Sequence, residues 1–301
     1  MNVSSRLLFA ALMIALALPP SVACGGQKAP AAEDFPALGQ PARVKVLASG
    51  DGAKTALRFK LRAGDKSEVS MTMDMKSEVR AAGQNMPMNM VMKMSMGSEI
   101  TELRGDDAVV TATIRDASFE MPGLGLGGSE ADAIRDMVRG LTITFTMSTR
   151  GEIRDSKVQS DDAMVGQLMG QLGDSMDQMA IPFPEEPVAV GARWQALTTQ
   201  EMNGIKSRLA ATYELLSIDG NVGRVKVTIQ QFADPQTMDL QGIPAELRRL
   251  RSEGSGEMTF DLDKPLGVRG ELRMKMDTDM TVMGSDASMK MDARISMTSG
   301  D

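Results

Sequence analysis

Methionine is the residue type whose number and spacing could carry chemistry in this chain. There are 28 methionines among 301 residues, one cysteine, no histidine and few aromatics. Met71, Met73 and Met75 alternate, as do Met86, Met88, Met90, Met92, Met94 and Met96, and a third group runs from Met274 and Met276 through Met289 and Met291 to Met297. Thioethers are soft ligands suited to Cu(I) or Ag(I). Along one strand, however, the M-x-M repeat holds sulfurs about 6.6 to 7 Å apart, so a compact three-sulfur site needs cross-strand partners. Two other uses fit the same pattern. Methionine is a flexible filler for a dry core short of aromatics, or it is the lining of a cavity for an apolar ligand. The candidate lining residues are Met71, Met73, Met75, Met88, Met90, Met92, Met94, Met274, Met276, Met289 and Met291. Sacrificial oxidation is a further use, and it requires solvent access.

Other candidates are weaker. Asp106-Asp107, Asp161-Asp162 and Glu185-Glu186 are paired acids beside turns or helix starts, where carboxylates serve solubility and the helix dipole. The missing histidine removes the commonest general base and metal ligand near neutral pH. No hydrolase elbow, phosphate loop, dinucleotide fingerprint or zinc motif occurs, and the glycine-rich run 123–128 has no lysine. We therefore expect no catalytic residues, no metal site, no cofactor and no enzymatic activity. The formal net charge of −7 argues against nucleic acid, which requires a basic footprint.

The first residues carry a different kind of signal. Residues 1–6 are singly basic, Leu7 to Leu18 are apolar, and Pro19-Pro20 precede Ser21-Val22-Ala23-Cys24. An apolar run that short suits an export signal better than a membrane span. The register of Cys24 resembles the bacterial lipobox, in which the signal is cut before a cysteine that then carries acyl chains, although Ser21 stands where leucine is usual. That resemblance implies a signal peptide over 1–23, lipid attachment at Cys24 and a membrane as partner. The alternative is cleavage after Ala23 and a freely secreted protein. By resemblance to enterobacterial lipoprotein sorting, Gly25 and Gly26 in place of aspartate after the cysteine imply the outer membrane, facing the periplasm. Residues 24–52, rich in Ala, Pro and Gly, read as a lipid-anchored flexible tether, with Val44 to Leu47 able to pair as an edge strand.

What must position the methionines is a set of strands. From Leu57, Phe59 and Leu61 through Val79, apolar and polar residues alternate, and the period resumes at Met86 and again through Met121. A second series runs from Ile205 to Ile229 and from Met258 to Met297. Short polar turns between them require antiparallel pairing. Glu130–Arg139 and an amphipathic run from Asp161 to Met179 read as helices. The expected class is mainly β with a few helices (α+β): two antiparallel meanders forming a curved sheet or open half-barrel, with helices packed on one side. Residues 53–301 read as a single duplicated β-rich domain, with halves at about 53–180 and 188–299.

The run Phe59 to Asp65, the methionine-alternating strands, the passage from Pro184 to Trp194 and the closing methionine-rich hairpin together resemble an uncharacterised family of methionine-rich exported bacterial proteins and lipoproteins. The similarity extends from Leu57 to Met297 and implies no activity. At the level of fold the pattern is similar to the LolA-like lipoprotein-carrier group, which implies an apolar cavity. The functional expectations are an envelope lipoprotein binding an apolar, lipid-like ligand, a structural or interaction protein with a dry methionine core, or Cu(I)/Ag(I) binding through methionines.

Overall fold

The computed structural model describes residues 30–81, 83–121, 129–159, 180–202, 204–240 and 243–300. Long alternation of apolar and polar side chains leaves each segment one face to bury and one to hydrate, which strands satisfy. The strands are β1 Arg43–Ala48, β2 Lys66–Ala81, β3 Gln84–Arg104, β4 Asp107–Glu120, β5 Thr142–Ser148, β6 Ile153–Gln159 and β7 Arg193–Met202. They continue with β8 Ile205–Asp219, β9 Val222–Ala233, β10 Gln236–Leu240, β11 Ile243–Asp261, β12 Lys264–Val282 and β13 Ser285–Ser299. All pair antiparallel in one sheet, in the order β1-β7-β8-β9-β11-β12-β13-β2-β3-β4-β5-β6, with β10 on β11 outside that path. The run β2 to β6 and the run β7 to β13 meet where β13 lies against β2. β1 and β6 form the two edges, so the sheet is not closed.

The α+β expectation, with helices packed on one side, is overturned. Strands make up about seven-tenths of the described residues and helix only a few per cent. Among the described residues the helical content is α1, Ser129–Val138, and a 3-10 turn at Ala32–Asp34. The physical reason is strand length. Individual strands run to 21 residues, so paired backbone takes up chain that a mixed fold would give to helices. The run Asp161–Met179 lies outside the described residues.

The sheet curls. Ile143 and Phe145 of β5 share one contiguous buried cluster with Trp194 of β7, although β5 and β7 lie near opposite ends of the strand order. Two crossovers close one end of the curl. Residues 49–65 connect β1 to β2, and 180–192 lead into β7. They bond to each other between Thr55 and Val188 in both directions, at 2.8 and 3.0 Å. Arg58 donates to the carbonyls of Leu57, Pro184 and Glu185 at 2.7–2.9 Å. Burial, and secondly Arg150, push its pKa down. Phe183 is fully buried, with its ring 5.0 Å from Phe59 and 4.9 Å from Phe260. Trp194 donates its indole N–H to the Pro182 carbonyl at 2.9 Å and stacks on Tyr213. Gly50 and Gly151 mark where the crossovers press close. Both have positive φ, and a Cβ would meet the carbonyl of Ala189 at 2.4 Å or of Ile181 at 2.6 Å.

Leu57, Phe59 and Leu61, expected as the start of a strand, lie in the first crossover instead. The Phe59 amide bonds the Thr149 carbonyl and the next amide, Lys60, bonds the Leu262 carbonyl. Successive groups thus pair with two different elements rather than with one ladder. Within the stretch read as a tether, Val44 pairs with Ala196 in β1. Upstream, Phe35 packs on the outer face against Leu197, Ala210 and Phe232.

The crossover carries a pH-dependent clamp. Lys60 reaches Asp263 at 3.2 Å and Asn221 donates to the same carboxylate at 2.6 Å. The Lys60 contact is the largest influence holding Asp263 below the usual carboxylate range. A depressed folded pKa contributes stability that is present above the unfolded value and lost as pH falls through the folded one. Asp263→Asn is therefore expected to lessen the loss of stability below about pH 4, measured as urea midpoints at neutral and acidic pH. Identical acid limbs in both proteins would remove this assignment.

Candidate ligand face

The register places the predicted methionines in transverse rows on the inner side. One row crosses eight strands as Leu215, Val225, Met258, Gly270, Met297, Met71, Met94 and Ala117. The next pairs Ile295, Met73 and Met92, followed by Met274, Ala293, Met75 and Met90. Beyond them lies Gln231, Ser252, Met276, Met291, Ser77 and Met88, and then Leu250, Thr278, Met289, Val79 and Met86. All eleven predicted lining residues therefore share one face. Neighbouring rows are about 6.6 to 7 Å apart and neighbouring strands about 4.8 Å apart.

Burial along this face is graded on β3, whereas on β11 and β12 the far rows are buried again at Leu250, Ser252 and Thr278, beside a second buried cluster of Met238, Ala245 and Leu247. Met71, Met94, Met258 and Met297 are buried next to the closed end. Met73, Met75, Met90, Met92, Met274, Met276, Met289 and Met291 are half-buried. Met88 and Met86, on β3 near the hairpin tip, are 37% and 44% exposed. No charged residue occupies these rows. Their opposite faces carry Asp74, Lys76, Glu78, Arg273, Lys275, Asp277 and Asp292, with ion pairs such as Lys275 to Asp292 at 3.7 Å. This polarity is the reverse of a membrane-spanning barrel, whose outward face is apolar.

The inner rows also hold polar groups that the sequence pattern did not single out. Gln231 donates to Ser207 at 3.0 Å, and the Ser77 hydroxyl donates to the Met88 carbonyl at 3.3 Å. Ser252 and Thr278 are each 2% exposed, and neither hydroxyl has a hydrogen-bond partner among the described residues. Tyr213, in the row of Met73 and Met92, has its phenol pushed above the ordinary range by burial. No cluster of three or more His, Cys, Asp or Glu able to hold a metal occurs among the described residues. No helix among them is long and apolar enough to cross a membrane. Cys24 and the glycine-rich run 123–128 lie outside the described residues.

These features define an open, curled, antiparallel sheet with an uncharged, methionine-rich inner face. A family of unknown function (DUF6263) matches residues 164–268, within the span over which the sequence resembles an uncharacterised family. No curated protein matches the chain. Among solved structures, one described as lipid-protein interactions in lipovitellin has a TM-score of 0.46 at 12% identity, covering 79% of this chain and 25% of that one. The chain thus spans a quarter of the length of that neighbour. The structure of OccK2 (OpdF) from Pseudomonas aeruginosa gives a TM-score of 0.27 at 6% identity, covering 79% of this chain and 99% of that one. An exported protein with a YmcC-like fold from Bacteroides fragilis gives 0.20 at 7% identity, covering 82% and 100%. None of these likenesses is close enough to transfer a function.

Proposed function

We propose that this protein is a non-enzymatic binder of an apolar, lipid-like ligand, held in the bacterial envelope by acyl chains on Cys24, at the outer membrane facing the periplasm. The observation that carries the reading is the exposure gradient along β3 on this uncharged face. A dry core would bury its methionines uniformly, whereas here burial at Met71 gives way to exposure at Met86 and Met88. Thioethers adapt their shape to irregular apolar partners, and each methylene removed from water contributes about 0.8 kcal/mol. The charged outer face keeps the sheet in water while its inner face meets the ligand.

Native mass spectrometry of the whole chain carrying Cys24→Ser, purified without detergent, tests the reading. Co-purified lipid, or one-to-one uptake of an added neutral lipid, is expected. Bare protein that takes up no lipid would favour the dry core, and retained Cu(I) would favour soft-metal binding. The anchor is tested separately: the wild-type chain is expected to incorporate labelled palmitate and Cys24→Ser to lose the label. Equal labelling of both would remove Cys24 as the attachment point.

A further inference from the structure

The ligand face carries two buried hydroxyls on β11 and β12, next to the cluster of Met238, Ala245, Leu247 and Leu250. Ser252 on β11 lies opposite Met276, and Thr278 on β12 lies opposite both Leu250 and Met289. These pairings put both side chains on the methionine face, diagonal to one another and about 7 Å apart. Each is 2% exposed, and among the described residues neither hydroxyl oxygen has a partner. A buried polar group is ordinarily hydrogen-bonded, and leaving one unpaired is unfavourable. Two together, among residues that could all have been apolar, indicate that their partner comes from outside the chain. The row from Ser252 through Met276, Met291 and Ser77 to Met88 starts buried at Ser252, is half-buried at Met276 and Met291, buried at Ser77 and exposed at Met88 on β3. It extends over roughly 19 Å at about 4.8 Å per strand.

We infer that Ser252 and Thr278 bind the polar group of an amphiphile whose hydrocarbon lies along the methionine row. This deepens the reading of the face as a lipid-like ligand site and rests on it. The polar group is uncharged and accepts hydrogen bonds, an ester carbonyl or a hydroxyl. No charged side chain on the inner rows could neutralise a buried phosphate or carboxylate, and an unpaired ion is expelled from such surroundings. The ligand class is therefore a neutral, ester- or alcohol-bearing lipid.

The test compares dioctanoylglycerol with dodecane as probes, titrated into the whole chain carrying Cys24→Ser and into the same chain with Ser252→Ala and Thr278→Val. The double variant is expected to bind dioctanoylglycerol at least fivefold more weakly, to bind dodecane as before, and to melt at a higher temperature when empty because two unpaired hydroxyls are gone. A Thr278→Ser chain, which keeps the hydroxyl, is expected to retain glyceride affinity within twofold, and its folding guards against a packing artefact. Equal glyceride affinity in the parent and the double variant would overturn the hydroxyl assignment while leaving the apolar site standing. Failure of the parent chain to bind either probe would overturn the site itself.

Discussion

Phe183→Ala is expected to lower the stability of the protein by about 3–5 kcal/mol, the range for removing a fully buried aromatic ring. Phe183 sits in the second crossover, is 0% exposed, and touches Phe59 of the first crossover and Phe260 of β11. Its amide is bonded to the Arg150 carbonyl at 2.8 Å beside β5. One side chain thus joins elements from distant parts of the strand order, and among the described residues no strand pairing holds the two edges of the sheet together. Phe183→Leu, which keeps most of the volume, is expected to recover the greater part of the loss. Denaturant midpoints with an unchanged m-value provide the check. An alanine variant within about 0.5 kcal/mol of the parent would show that the crossovers do not clamp the end of the curl.

The second large effect separates the two ends of the methionine face. Met71→Glu places an unpaired carboxylate in a fully buried row, and several kcal/mol of destabilisation is expected, with unfolding or a carboxyl that stays protonated at neutral pH. Met291→Glu, in a half-buried row opposite Met276 and Ser77, is expected to fold with a much smaller loss. It should nevertheless weaken binding of a neutral lipid at least tenfold, because the added charge must be desolvated when the ligand arrives. Circular dichroism melts and lipid titration distinguish the two substitutions. Equal destabilisation by both would mean that the face is uniformly dry, and undiminished binding by Met291→Glu would place the ligand elsewhere.

The methionine strands were legible because their chemistry alternates without interruption. From Met71 to Val79 and from Met274 to Met280, every inner position except Ser77 and Thr278 is apolar and every outer one polar, so both their strand character and their facing could be read directly. β11 was legible only at its end. Its inner positions Ser252, Gly254 and Gly256 interrupt the apolar period, which hid most of a 19-residue strand. The same interruption hid Ser252, while Thr278 on β12 stood as a single polar exception among methionines. Leu57 and Phe59 show the opposite failure. They alternate as a strand would, but each neighbouring amide pairs with a different element, a tertiary arrangement that no local pattern encodes. The mixed α+β expectation came from weighing helical periodicity at 130–139 and 161–179 against strands whose full length could not be seen. Strand order was equally hidden, since β13 reaching back to β2 depends on contacts far apart in sequence.

Methionine oxidation, followed residue by residue with dilute peroxide and peptide mass spectrometry, with and without a bound neutral lipid, is the most direct test of an inward-facing thioether surface that opens at one end. Met86 and Met283, the latter 77% exposed in the β12–β13 turn, are expected to oxidise first whether or not lipid is present, and Met88, at the open end of the ligand row, to oxidise as fast without lipid but more slowly with it. Met75, Met90, Met276 and Met291 should follow more slowly and become protected by the lipid. Met71, Met94 and Met297 should resist until the protein unfolds. Rapid oxidation of Met71 and Met94 together with Met86, or lipid protection that spares the half-buried rows, would contradict the account.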